Sequence, residues 1–122
     1  MEITIDRLIP IIDNGVSIRL EKRRFLDYGF PRNHFEILNY VNPADGDLWD
    51  VLVFGYNRVF EFGEIFKTNN LVGIIFIEGG NHKLIFKLPY MRSFSQERFD
   101  KELKQYMENY MNHGLDIKYI EF

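Results

Sequence analysis

The chain has 122 residues, a formal net charge of −3 and 16% aromatic residues, which together predict one folded domain over residues 1–122 with a single core. The absence of cysteine excludes disulfides, thiolate nucleophiles and cysteine-based metal sites. The acidic balance predicts no nucleic-acid or membrane partner, and the absence of a signal-like or membrane-spanning apolar segment predicts a soluble, cytoplasmic protein.

Alternation of apolar and polar residues predicts that most of the chain forms β-strands. Asn14-Gly15 is a turn signal between the first two strands. The turn sequence Glu78-Gly79-Gly80-Asn81 predicts a hairpin, and Pro89 is expected to end its second strand. The predicted strands in this part of the chain cover residues 2–6, 16–20, 34–41, 50–54, 71–77 and 82–88.

One helix is predicted near the C-terminus. Ser93 and Gln96 have the spacing of a capping box, and His113-Gly114 is a stop signal. Residues 116–122 then form a last predicted strand, so the fold class is mainly β with one C-terminal helix (α+β), as a closed or partly open small barrel with a helix packed on it. The apolar stripe of the helix contains Phe99, Leu103, Tyr106, Met107 and Tyr110.

The segment "NPADGDLWDVLV" places Asp45, Asp47 and Asp50 within six residues of one another. In one interpretation they form a tight turn, because Asp bonds to its own backbone and Gly46 accepts a positive φ. In the other they form an anionic pocket for a hard divalent cation such as Mg²⁺, which prefers carboxylate oxygens. The spacing does not match an EF-hand loop.

Six short motifs occur in the order found in one enzyme family. "TIDR" (4–7), "DYGF" (27–30), "DGDLWDVLV" (45–53), "VGII" (72–75), "KLIFKLP" (83–89) and "YMENYM" (106–111) follow one another over nearly the whole chain. In this respect the chain resembles the soluble type I inorganic pyrophosphatases, especially their short pyrophosphatase-like branch. The resemblance implies an OB-like five-stranded β-barrel of the inorganic pyrophosphatase type with a helix, and a homo-oligomer.

The resemblance also implies a role for each matched residue. Asp45, Asp47 and Asp50 would hold Mg²⁺ or Mn²⁺, and Asp47 would also orient or deprotonate the attacking water. The remaining catalytic candidates are phosphate-binding Arg7 and Lys83, Tyr28 near metal or phosphate, and Tyr110 near the outgoing phosphate. Without the resemblance, Arg7 and Lys83 would be polar positions of strands, and Tyr28 and Tyr110 would be packing residues.

The sequence departs from the family pattern at several positions. Asn81 stands where the pattern has a metal carboxylate, Met111 replaces a lysine, and Arg24 replaces a tyrosine. The first functional hypothesis is divalent-metal-dependent hydrolysis of pyrophosphate by a minimal pyrophosphatase. The alternatives are a catalytically degenerate domain that binds a phosphorylated ligand or a protein partner, and hydrolysis of a different phosphoanhydride or phosphoester.

Overall fold

The computed structural model of the chain describes residues 1–25, 31–89 and 92–122, without the side chains of residues 22–25 and 31–32. The described part is mainly β with a C-terminal helix, which confirms the predicted α+β class. None of its helices is long and apolar enough to cross a membrane. Its elements are α1 (Ile5–Asp13), β1 (Val16–Phe25), β2 (Pro31–Val41), β3 (Leu48–Val53), β4 (Ile65–Thr68), β5 (Leu71–Ile77), β6 (Lys83–Phe86), α2 (Gln96–Asn112) and β7 (Ile117–Glu121).

The seven strands form one sheet in the order β4-β1-β2-β3-β6-β5-β7. The β1–β2 and β5–β6 pairs are antiparallel, and the β5–β6 pair forms the hairpin that the sequence predicted. The β3 and β6 strands run parallel at the centre of the sheet, and β7 pairs antiparallel with β5. This order brings strands that are far apart in the sequence into direct contact at β3 and β6.

The sheet is strongly curled. The link from Thr68 in β4 to Leu71 in β5 contains two residues, and so spans at most about 11 Å. The two strands are five places apart in the sheet, which corresponds to roughly 24 Å if the sheet were flat. The curl also brings the Thr68 hydroxyl to the Lys87 carbonyl at 3.2 Å. Among the described strands the sheet stays open, because β4 pairs only with β1, and a closed five-stranded barrel is not confirmed.

The curled sheet separates two apolar layers. The inner core contains residues of β1 to β6, for example Ile18, Phe35 and Val51, and is completed by Leu8 and Ile12 of α1. The outer core lies under α2, whose buried side chains pack on β3, β5 and β6. We use the terms inner face and outer face for these two sides of the sheet. The outer core contains Leu52, Phe54, Ile75, Ile77, Ile85, Phe99 and Tyr106.

The predicted N-terminal strand at residues 2–6 is wrong. Glu2 makes one isolated bridge to Val41, and the chain then enters α1. The apolar residues Ile5, Leu8 and Ile12 recur at spacings of three and four, so a helix buries them on one face. The three- and four-residue spacing of a helix therefore decides the structure here, because the apolar–polar alternation of a strand covers only five residues.

The predicted C-terminal helix is confirmed, but its N-cap is Ser95, whose side chain accepts a hydrogen bond from the Arg98 N–H. The predicted capping box at Ser93 is therefore wrong. The helix ends at Asn112 and is followed by the C-cap His113 and by Gly114, which has φ = 76°; the predicted last strand follows as β7. The sequence analysis did not predict the short strand β4.

The start of α2 is fixed to Gly55, at the end of β3. The Gly55 N–H donates to Oε1 of the fully buried Glu102 at 3.1 Å, and the Ser95 N–H donates to the Gly55 carbonyl at 2.8 Å. Gly55 has φ = 91°, and a Cβ atom built there would lie 2.6 Å from the Phe94 ring. Only glycine meets both requirements without a shift of the helix.

We expect Gly55→Ala to destabilise the protein more than Gly63→Ala. Both positions have positive φ, but a Cβ at Gly63 meets no atom within 4 Å. Gly63→Ala should therefore cost roughly 1–2 kcal/mol from backbone strain, and Gly55→Ala about 1–3 kcal/mol more from overpacking against Phe94. Urea unfolding followed by circular dichroism measures both losses, and equal losses would contradict the packing of α2 on Gly55.

Candidate functional site

Four charged side chains form a row across neighbouring strands. Arg19 on β1 is the register partner of Glu36 on β2, and Glu36 is the partner of Asp50 on β3. Lys83 on β6 bonds to Asp50 from the other side. Ile85, two residues after Lys83, belongs to the outer core, so strand alternation places the row on the outer face. We call these four residues the charged row.

The central contact of the charged row joins Asp50 and Lys83. The Lys83 Nζ donates to the Asp50 Oδ2 at 2.6 Å. The lysine side chain is 5% exposed and the aspartate side chain 20% exposed, so water screens the pair only weakly. Two residues that the sequence singled out in separate motifs therefore meet in one ion pair.

The second ion pair of the charged row joins Arg19 and Glu36. Both the Arg19 Nε and Nη2 donate to the same Glu36 oxygen, at 3.1 and 2.5 Å. The arginine side chain is 43% exposed and the glutamate side chain 16% exposed. Sequence reasoning missed these residues. Their sequence signal was that both lie at polar positions of strands that alternate apolar and polar residues. That they pair with each other follows only from the register of β1 and β2.

The row explains how two carboxylates can face each other across neighbouring strands. Glu36 and Asp50 are direct partners, an arrangement that is destabilising when the charges are uncompensated. Each carboxylate has a cation on its far side, Arg19 for Glu36 and Lys83 for Asp50. The four formal charges therefore sum to zero, in the order plus, minus, minus, plus.

Asp45 and Asp47 lie in an exposed turn before β3. The Asp47 N–H donates to the Asp45 Oδ1 at 2.9 Å, and Gly46 has φ = 77°. The Asn42 side chain accepts from the Ala44 N–H at 2.9 Å within the same turn. The Asp-Gly-Asp segment therefore forms a tight turn with both carboxylate-bearing residues exposed.

The described residues contain no group of three acidic or histidine side chains arranged to hold a metal ion. Mg²⁺ commonly binds one or two carboxylates and takes its other ligands from water and substrate phosphates. The donor chemistry of Asp45 and Asp47, two carboxylates in an exposed turn, fits such an ion. Asp50 differs from them because its carboxylate is held by Lys83.

Two other predicted site residues, Arg7 and Tyr110, lie on helices that pack on opposite faces of the sheet. Arg7 is exposed on α1, whose buried residues belong to the inner core. Tyr110 is half-buried against the outer core, and its hydroxyl accepts from the Tyr106 hydroxyl at 3.1 Å, so it is at least a packing residue. Tyr28 lies outside the described residues.

The β5–β6 hairpin packs against the aspartate turn. The buried Asn42 side chain donates from Nδ2 to the Gly80 carbonyl at 3.0 Å, which ties the two turns together. The next residue, Asn81, has a buried side-chain oxygen with no hydrogen-bond partner among the described residues. This is the position at which the pyrophosphatase pattern has a carboxylate. The hairpin therefore brings Asn81 to the turn region.

The indole of Trp49 is buried in the inner core. Its side chain is 2% exposed, and its Nε1 donates to the Ile3 carbonyl at 2.9 Å. The ring is stacked on His82 with the ring centroids 6.5 Å apart. The His82 Nδ1 accepts from the Ile77 N–H at 3.0 Å, so the proton of the neutral ring lies on Nε2.

The ion pair at the centre of the row is expected to contribute to stability as a unit. Lys83→Met leaves Asp50 facing Glu36 without its cation, and Asp50→Asn leaves a buried ammonium without its partner. Each single change should lower the free energy of unfolding by about 3 kcal/mol, and the double variant by less than the sum. Urea unfolding of all four proteins measures this coupling. Additive losses would mean that the two side chains act independently.

His82 should make stability depend on pH. Burial, and then the charge of Lys83, hold the pKa of His82 below its usual value of about 6.5. Folding therefore favours the neutral imidazole of His82. Its contribution to the free energy of unfolding is complete above pH 6.5 and is lost as the pH falls through the lowered pKa.

Denaturant unfolding between pH 5 and 8 tests this expectation. His82→Gln should flatten the decline in stability below pH 6.5. His113→Gln, which changes an exposed histidine at the end of α2, is the matched control and should leave the decline in place. The assignment to His82 fails if the two variants behave alike.

We compared the chain with protein-family models, curated proteins and solved structures, and none of them matches it. Functional assignment therefore rests on the residues and their geometry. The strongest geometric feature is the meeting of Asp50 and Lys83 beside the aspartate turn.

Proposed function

We propose that this protein is a minimal inorganic pyrophosphatase that depends on a divalent metal ion. Its site would lie where the aspartate turn, β3 and the start of β6 come together on the outer face of the sheet. In this proposal the curled sheet corresponds to the OB-like barrel of the pyrophosphatase type, and the protein self-associates. The reaction adds one water across the P–O–P bridge and yields two phosphates.

One observation carries the proposal. Asp50 and Lys83 come from two motifs 33 residues apart in the sequence, and the parallel pairing of β3 with β6 brings them to 2.6 Å. The pyrophosphatase resemblance assigns both residues to one site, and the contact brings them together as that assignment requires. The contact thus supports the resemblance by a feature other than the sequence order of the motifs.

Each residue has a chemical task in this proposal. Asp45 and Asp47 would hold Mg²⁺ or Mn²⁺, which when bound neutralises charge on the phosphoryl oxygens. The exposed Asp47 carboxylate would accept a proton from the attacking water. Asp50 holds the Lys83 ammonium in place at the start of β6, where it would add positive charge near the phosphates.

A second candidate function is a degenerate domain that binds a phosphorylated ligand without hydrolysing it. Three observations favour it. The Asp45 carboxylate is bonded within its own turn, the Lys83 ammonium is already neutralised by Asp50, and Asn81 is neutral where the family pattern has a carboxylate. Each of these reduces the charge available to stabilise a transition state.

Phosphate release from pyrophosphate, with and without Mg²⁺, tests the proposal. We expect metal-dependent release by the wild type, and a loss of about 10²–10³ in rate for Asp47→Ala. Asp47 is the sharpest position because its exposed side chain can be removed with little effect on folding. Asp13→Asn, at an exposed position at the end of α1, is the matched control and should retain the activity.

Asp50→Asn should also abolish release, but it removes the partner of a buried lysine. Circular dichroism must therefore show that this variant is folded. No release by folded wild-type protein, over a range of divalent metals, would overturn the hydrolase assignment. Binding of pyrophosphate without release would establish the second candidate.

A further inference from the structure

The aspartate turn begins at Asn42, and all four polar atoms of this residue have hydrogen-bond partners. Its N–H donates to the Asp47 carbonyl at 2.7 Å, and its carbonyl accepts from the Gly46 N–H at 2.9 Å. Its Oδ1 accepts from the Ala44 N–H at 2.9 Å, and its Nδ2 donates to the Gly80 carbonyl at 3.0 Å. Asn42 is 2% exposed, so water competes little for these bonds. Three bonds therefore close the turn, and the fourth joins it to the β5–β6 hairpin.

The hairpin end of this contact is itself held in place. The Gly80 N–H donates to the Ile77 carbonyl at 3.2 Å, and the Ile77 N–H donates to the His82 Nδ1 at 3.0 Å. The His82 ring also stacks on Trp49, which lies in β3 just after the aspartate turn. The hairpin therefore offers the Asn42 side chain a partner in a fixed position.

The hairpin and the turn approach each other closely at Gly80. A Cβ atom built on Gly80 would lie 2.9 Å from the Ala44 Cβ, whereas a Cβ atom built on Gly79 meets no atom within 4 Å. Both glycines have positive φ, 93° at Gly79 and 91° at Gly80. Backbone conformation alone thus favours glycine at position 79. At position 80 a side chain would also push the hairpin and the turn apart.

The two carboxylates of the turn depend on its backbone for their relative position. Asp45 and Asp47 are both exposed, and the Asp45 Oδ1 is bonded to the Asp47 N–H within the turn. Side chains that already have their bound geometry bind a ligand more tightly, because less conformational entropy is lost on binding. Residues that orient metal ligands without touching the metal commonly change its affinity 10- to 100-fold.

We infer that Asn42 is a positioning residue, which anchors the aspartate turn to the hairpin and so holds the Asp45 and Asp47 carboxylates in place for a divalent cation. This inference rests on the proposed function, which assigns the metal ion to these two carboxylates. Asn42 and Gly80 do not contact the ion. They act on it only through the backbone of the turn.

Binding of Mn²⁺ to the folded full-length protein tests the inference without any turnover. Electron paramagnetic resonance of the free ion measures the dissociation constant. Asn42→Ala removes the bonds to Ala44 and Gly80 and should raise this constant about tenfold or more. Asn42→Ser keeps a hydroxyl that can accept from the Ala44 N–H but is too short to reach Gly80, so it should recover part of the loss.

Gly80→Ala and Gly79→Ala form a matched pair on the same hairpin. Both introduce a side chain at positive φ and should lose similar stability from backbone strain, but only the first meets Ala44. Gly80→Ala should therefore raise the Mn²⁺ dissociation constant about tenfold, and Gly79→Ala should leave it unchanged. Circular dichroism checks that both variants are folded. Equal effects of the two changes would overturn the inference, because general destabilisation would then explain them.

Hydrogen exchange of the turn, measured by mass spectrometry without metal, is the second readout. Exchange should be faster in Asn42→Ala and Gly80→Ala than in the wild type, and unchanged in Gly79→Ala. Unchanged Mn²⁺ binding in both Asn42→Ala and Gly80→Ala overturns this inference alone. A wild-type protein that binds neither Mn²⁺ nor Mg²⁺ overturns the inference together with the proposed function. Metal binding that is weakened by these changes, in a protein that does not hydrolyse pyrophosphate, supports the inference and overturns the hydrolase assignment.

Discussion

The two-residue link between β4 and β5 is the constraint on which the architecture depends. It joins strands that are five places apart in the sheet, and the chain can make that connection only if the sheet curls. The curl creates an enclosed side, which takes the inner core and α1, and an outside, which takes α2. Every statement about which side chains can share a site follows from this separation.

The separation has a direct consequence for charge. The inner face is filled by apolar side chains, so charged residues at alternate strand positions must point outward. On the outer face α2 covers only part of the sheet. The charged row lies between the covered and the open surface, so the Lys83 side chain is 5% exposed and the Arg19 side chain 43% exposed. Water therefore screens the two ion pairs of the charged row to different extents. Asp50 and Lys83 interact in a drier environment than Arg19 and Glu36.

Local sequence patterns predicted much of the fold. Alternation located β1, β2 and β3, and the Gly79-Gly80 pair located the hairpin, because these signals act within a few residues. The N-terminal helix was missed because Ile3 and Ile5 imitate an alternating strand, while the helical period becomes visible only when Ile12 is included. The β4 strand has only four residues, which is too few for an alternating pattern to be recognised.

The candidate site was predictable only in part, for a different reason. Asp50 and Lys83 were found through their motifs, but the position of Arg7 depended on the helix that was missed. Arg19 and Glu36 lack a motif, and their contact depends on the register of the β1–β2 hairpin. A contact between residues on different strands cannot be predicted from any single segment, because it depends on how the strands pair.

The buried Trp49 gives the protein a built-in optical probe. It is the single tryptophan of the chain, lies next to Asp50 in the sequence and is stacked on His82. Its indole also bonds to the Ile3 carbonyl, ahead of α1. Intrinsic fluorescence therefore comes from one known position, between the N-terminal segment and the proposed site. Emission from this ring therefore reports whether the N-terminal segment is attached and whether a ligand occupies the neighbouring proposed site, without any added label.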